Sequence, residues 1–241
     1  MFWIKDKTIV LDSFVTEEWI LNYNPIQKAS KFIPQWSKEQ DNYFKNGFKD
    51  METMKQCPAI LDLLNTGFVI PLWSDFLVNI DQEQKQINWE FADKIDINAT
   101  TAQSHPVEQW KDYANPDKYF QLKLINPWLF STKEDIKFHW SSSYFNNELS
   151  LPYSIMSAIV DFKYQSGTHV NMIIDLNRAK EGFKIDATKP LVHLIPLTEK
   201  KVIVKNHIVS NQEYRNIQNK YKKVFFTNNY KKIKKCPFHK G

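Results

Sequence analysis

Residues 158–176 read AIVDFKYQSGTHVNMIIDL. Two runs rich in apolar and β-branched residues flank Gln165, Ser166, Gly167 and Thr168, the pattern of two strands joined by a short turn. Asp161 stands just ahead of that turn and has two readings. A carboxylate there can accept local backbone hydrogen bonds and be structural, or it can act as a catalytic base. Local turn chemistry favours the first, with Asp161 at a strand end and its carboxylate near residues 164–168.

Outward from this stretch the same strand signals recur in QLKLINPWLFS, IKFHWSS, SIMSAIVDFKY and PLVHLIPL. FVIPLWSDFLVNI and KQINWEFA read as strands around the polar turn DQEQK, with Ile87, Trp89 and Phe91 alternating onto one face. Pro127, Pro152 and Pro196 lack the amide a central ladder needs, so they mark strand ends, edges or bulges. Helical signals flank the strands. Thr16 followed by Glu17 and Glu18 suits the start of a short helix carrying Trp19, Ile20 and Tyr23 and stopped by Pro25. In CPAILDLLNTG, Pro58 suits the first helical position and Gly67 the residue past the end. Tyr214, Ile217 and Tyr221 share a face in NQEYRNIQNKYKKVFF, which predicts a helix over 211–226 packed on the sheet. The expectation is one α+β, β-rich domain over 1–241. It has a helical part at 1–67, a β core at 68–205, and a basic C-terminal helix and tail at 206–241. The core is an antiparallel β-sandwich or jelly-roll-like barrel.

Composition narrows the chemistry. With 241 residues, 42% hydrophobic and 15% aromatic, the chain can bury a substantial core. Five glycines against eight tryptophans speak against a glycine-loop phosphate binder, and no G-x-x-x-x-G-K-[ST] or G-x-G-x-x-G string occurs. No apolar run reaches the ~18 residues of a membrane span, and the charged start MFWIKDKTIVLDSF carries no export signal, so the reading is a soluble cytoplasmic protein. Cys57 and Cys236 are too few and too far apart for a disulfide framework. Cys236 and His239 in CPFHKG have ligand-like spacing but lack the further ligands a zinc site needs, so no metal and no cofactor is predicted.

Residues 201–241 hold 11 Lys or Arg against the single Glu213, so the net +5 is a basic tail on an acidic body. Lys222, Lys223, Lys231 and Lys232 are interleaved with Tyr221, Phe225, Phe226 and Tyr230, a mix that can follow a nucleic-acid backbone and stack bases. Its plainer reading is an amphipathic segment with a solvated lysine face.

Other candidates are isolated. His105 and Glu108 in SHPVEQW suit a loop site but lack the H-x-[DE] spacing of a facial iron triad. His139 alternates with Phe138 and Trp140, and His193 lies inside PLVHLIPL; both read first as sheet histidines and second as ligand-binding groups. Ser141, Ser142 and Ser143 lack a nucleophile-elbow context.

CPAILDLLNTGFVIPLWSD, LINPWLF, AIVDFKY and KPLVHLIPL, in that order, resemble a domain-of-unknown-function family of marine tailed phages and bacteria. That resemblance implies a phage-type source, in the cytoplasm of an infected host cell or in the virion, and no assigned activity. In the family's last element a glycine and a glutamine stand where this chain has neither; His193 takes the glutamine's place. More distantly, IVDFKY and the last strand are similar to the dUTPase and dCTP-deaminase superfamily, a β-clip fold. That similarity implies Asp161 as the water-activating base, Tyr164 beside it and magnesium as cofactor. Lys163 stands where that superfamily often has a second acid, and its A-G-x-D and P-R-S-G motifs are missing here. Without them substrate positioning and charge stabilisation go unsupplied. The expectation is therefore a non-enzymatic binding or assembly component with a protein partner or self-association. The alternative is a diverged nucleotide-binding or nucleotide-hydrolysing enzyme.

Overall fold

The computed structural model describes residues 8–81, 86–93, 95, 101–146 and 151–226, the last six by backbone alone. Among them are seventeen strands in five sheets of three, five, four, three and two strands, with four short α-helices. The fold is an α+β, β-rich sandwich, and no sheet closes into a barrel among the described residues. Every strand pairing is antiparallel except one: Ile9–Val15 runs parallel to Val202–Ile208.

The inner faces meet in one aromatic-rich core. The five-stranded sheet sends in Phe138, Trp140, Val160 and Leu194, and the four-stranded sheet Leu122, Leu124, Met172 and Ile174. Strand Ile9–Val15 buries every second residue, the period-2 signature of a sheet with one covered face. The expected Phe76–Asp81/Gln86–Phe91 hairpin forms, with Ile87, Trp89 and Phe91 on its more buried face. Pro127 separates two strands, Pro152 precedes one and Pro196 ends one, as their missing amides require.

The stretch 158–176 corrects its first reading. Its two strands do not pair with each other. Ala158–Val160 joins Phe138–Ser142 in the five-stranded sheet, whereas Val170–Asp175 lies in the four-stranded sheet between Tyr119–Leu124 and Tyr153–Ile155. The segment between them runs beside Leu129–Ser131: the Phe130 amide donates to Ser166 O (2.7 Å), and Leu129 bridges Gly167. The cause is Phe162, fully buried against Phe130 (4.5 Å between ring centres) and Phe138 (5.3 Å). The crossover between sheets places that ring in the core, a burial worth about 2 kcal/mol or more.

The corner INPW holds the crossover in place. Buried Asn126 donates from Nδ2 to Thr168 O (3.2 Å) and accepts the Trp128 amide (3.2 Å). Helix Asn211–Phe226 docks on the same corner, where buried Tyr214 donates its hydroxyl to Pro127 O (2.9 Å). A reciprocal cap starts that helix: the Ser210 amide donates to Glu213 Oε2 (2.9 Å) and the Glu213 amide to Ser210 Oγ (3.3 Å).

The 1–67 part contains strands as well as helices. Helix Glu18–Tyr23 is capped by Glu17 without a side-chain bond, so Thr16 does not serve as its cap. Helix Pro58–Asn65 begins at Pro58 as expected, and Gly67 past its end has φ +79°. Between these helices, Tyr43–Asn46 and Lys49–Glu52 form a two-stranded hairpin that joins no other sheet.

Candidate functional site

Asp161 follows the last residue of strand Ala158–Val160 and is 1% exposed. Its Oδ1 accepts the Lys163 amide (3.2 Å), and its carbonyl accepts the amides of Tyr164 and Gln165 (3.1 Å each). This is an aspartate turn built on the residue itself. Half-buried Tyr164 carries the Lys163 ammonium 5.6 Å from its ring centre. Asp161→Asn keeps an oxygen for the Lys163 amide, so its cost in stability is expected to be no more than about 1 kcal/mol. Denaturant titration of both proteins measures it.

The histidines fall into two groups. His139 and His193 lie on neighbouring strands of the five-stranded sheet, with His193 opposite Ser141 and His139 opposite Ile195. Buried His193 donates from Nε2 to Thr66 O (2.6 Å), pinning the end of helix Pro58–Asn65 to the sheet. Burial lowers its pKa, the Thr66 bond opposes this, and the charge of His139 lowers it further.

His105 lies at the rim of the four-stranded sheet, with Nδ1 2.7 Å from Gln109 Oε1 and Nε2 3.2 Å from Asn171 Oδ1. Glu108 is exposed on the adjoining turn. The same face carries His169, which sequence reasoning did not single out. The signal was the alternation of His169, Asn171, Ile173 and Asp175, which puts all four on one side of the strand. Lys123 pairs with Asn171, Gln121 with Ile173 and Tyr119 with Asp175, so polar side chains run along this strip, with Gln121 and Ile173 buried in its middle. Burial, with the charges of Lys123 and His105, lowers the His169 pKa to about 4. Its Nδ1 has no hydrogen-bond partner among the described residues. At the far end of the strip a cleft of about 360 Å³ opens between Tyr119, Tyr144, Tyr153, Asp175 and Arg178.

The remaining candidates lie elsewhere. Lys222 and Lys223 fall in the last turns of helix Asn211–Phe226, whose side chains there are undescribed, and Lys231 and Lys232 lie outside the described residues. Among the described residues no three His, Cys, Asp or Glu side chains gather where they would hold a metal ion. No described helix is long and apolar enough to cross a membrane. The structure thus brings His139 to His193 in the five-stranded sheet and places His105 at the rim of the four-stranded one.

The largest departure from an ordinary surface is the hairpin 43–52. All eight of its strand residues are exposed. Tyr43, Phe44, Met51 and the neighbouring Met54 face solvent in large part, and Phe48 at the tip is fully exposed at 107%. Gly47, the first residue of its two-residue turn, has φ +64°, which suits the tight turns that match strand twist. The Lys45–Asp50 pair (2.7 Å) crosses the hairpin, and Thr53 Oγ1 donating to Asp41 O (2.6 Å) closes its base. Such a hairpin is marginal alone in water, and rings on both strands and the tip gain little there.

Comparison of the chain with protein-family models, with curated proteins and with solved structures finds no match in any of the three. By its fold the protein is an α+β β-sandwich with one extended aromatic hairpin.

Proposed function

We propose that this chain is a non-enzymatic binding or assembly component of phage type, acting in an infected host cell or in the virion, and that its contact element is the hairpin 43–52. The observation that carries the reading is the exposure of Phe48, Phe44, Tyr43 and Met51 on an element whose strands pair with no other strand among the described residues. A free monomer gains nothing from leaving those rings in water, whereas a partner surface recovers about 25 cal/mol per Å² buried. The phage-type source rests on the four sequence elements alone. The burial of Asp161 supports a structural aspartate over a water-activating base, because a base must reach the proton it removes.

Two experiments test this. A photo-cross-linking residue in place of Phe48 is expected to give one discrete adduct in cells of the source organism. A diffuse smear or no adduct overturns the hairpin as contact element. Purified protein is also expected to show no magnesium-dependent nucleoside-triphosphate hydrolysis. Turnover that is lost in Asp161→Asn at unchanged melting temperature would make the nucleotide enzyme the better account.

A further inference from the structure

The geometry points to a second copy of this chain as the occupant: two hairpins pair edge to edge about a twofold axis through Phe44, forming a four-stranded sheet. The inference rests on the hairpin being the contact element and adds which surface it meets.

Hydrogen-bond alternation gives the first argument. The two-residue turn makes Asn46 and Lys49 a bonded pair, and the Thr53 amide donates to Asn42 O (3.0 Å) at the base. Tyr43 and Lys45 therefore turn their amides and carbonyls outward on one edge, and Asp50 and Glu52 do so on the other. An antiparallel pair related by a twofold must place outward residues opposite outward residues. On the second edge, every such register sets acid against acid: Asp50 on Asp50, Asp50 on Glu52, or Glu52 on Glu52. Like charges directly opposed destabilise a pair. That edge is closed to self-pairing.

The first edge has one register confined to its strand residues. Tyr43 of each copy bonds to Lys45 of the other, which gives four backbone hydrogen bonds and sets each ammonium beside a phenol ring. Phe44 then faces Phe44 at the non-bonded position, where side chains approach most closely. Since Phe44 is opposite Met51 within the hairpin, an apolar row Met51, Phe44, Phe44, Met51 crosses the sheet. A register shifted one way opposes Lys45 to Lys45. Shifted the other way, it requires the Asp41 carbonyl, which already accepts Thr53 Oγ1.

The same register explains the tip. Continuing from Phe44 opposite Phe44, Phe48 of one copy comes level with Gln40 of the other. Gln40 lines a concavity at the hairpin base together with Asp41, Tyr43 and Met54. The exposed tip ring of each copy thus meets the hollow beside the other copy's first strand. Head-to-tail pairing of unlike edges would match charges as well. It would repeat the protein body every ~10 Å, two strand spacings, closer than a domain of this size can stack.

The test uses the full chain with Cys57 and Cys236 replaced by serine. Light scattering across a concentration series is expected to show a mass twice that of one chain, and Phe44→Lys to return it to one. Phe44→Cys is expected to form an intermolecular disulfide under mild oxidation, since facing non-bonded positions lie within disulfide reach. Asp50→Cys, on the closed edge, is expected to form none. A single-chain mass throughout, with no Phe44→Cys disulfide, overturns self-pairing. If the Phe48 cross-linker then still yields one adduct with a different protein, the contact element stands and only the second copy is wrong. If it yields none, both readings fall.

Discussion

Between pH 6.5 and pH 4 the folded state is expected to lose about 2–3 kcal/mol through His169. An unfolded histidine titrates near 6.5. In the folded protein burial holds the ring neutral down to about 4, aided by the charges of Lys123 and His105. Charging it would also put an N–H on Nδ1, which has no acceptor among the described residues. The folded-state pKa lies below the unfolded one, so the unfolded chain binds the extra proton first. The stabilisation is complete above pH 6.5 and is lost as pH falls toward 4. His193 acts in the same direction. Asp75, which the Ala187 amide and Lys184 hold below the ordinary carboxylate range, loses its contribution only at still lower pH. Urea titrations at half-unit intervals measure the slope. His169→Asn is expected to remove most of it, and an unchanged slope in that variant would sink the assignment.

Gly67→Ala is expected to be strongly destabilising, at roughly 2–5 kcal/mol. Gly67 has φ +79°, where a side chain costs about 1–2 kcal/mol. An added Cβ would also collide with the backbone carbonyl of Leu194 in the Pro190–Pro196 strand, and overpacking a closed site costs about 1–3 kcal/mol more. No flexible side chain can move aside. The adjacent Thr66 is tied to His193, so the turn cannot retreat without breaking that bond. Gly47→Ala is the control. Its φ is +64° but nothing lies within 4 Å of the added carbon, so only the conformational term applies, about 1 kcal/mol. Melting temperatures should place Gly67→Ala roughly 10 °C below wild type and well below Gly47→Ala. Equal losses would show that the Leu194 approach does not matter.

Local patterns were legible wherever one physical rule acted alone. Alternation at Ile87, Trp89 and Phe91 announced a hairpin, and Pro58 with Gly67 bracketed a helix whose limits the structure keeps. The spacing of Tyr214, Ile217 and Tyr221 announced helix Asn211–Phe226. What could not be read was which strand pairs with which. In 158–176 the turn residues are equally compatible with a hairpin and with a crossover; the burial of Phe162 among residues distant in sequence decides between them. The parallel pairing of Ile9–Val15 is likewise a matter of tertiary context. The hairpin 43–52 did carry a local mark, Gly47 at the first position of a two-residue turn, but its strands lack the regular apolar alternation that draws attention to a sheet. For the site, burial of Asp161 and of His169 had no local signature, since either residue could equally have stood in solvent.

The pairing of Ile9–Val15 with Val202–Ile208 gives the chain a schedule as well as a shape. During synthesis residue 9 leaves the ribosome long before residue 202, at about 5–20 residues per second. For that interval of roughly ten seconds or more, one of the earliest strands made has an open edge toward its last partner. Topologies closed by such distant segments form late and slowly. A nascent or truncated chain ending short of residue 202 therefore presents a ready template for mispairing, and the yield of native protein becomes a race between translation and aggregation. Slower elongation between residues 9 and 202 would lengthen the exposure. Supplying the 202–208 segment in trans would close it.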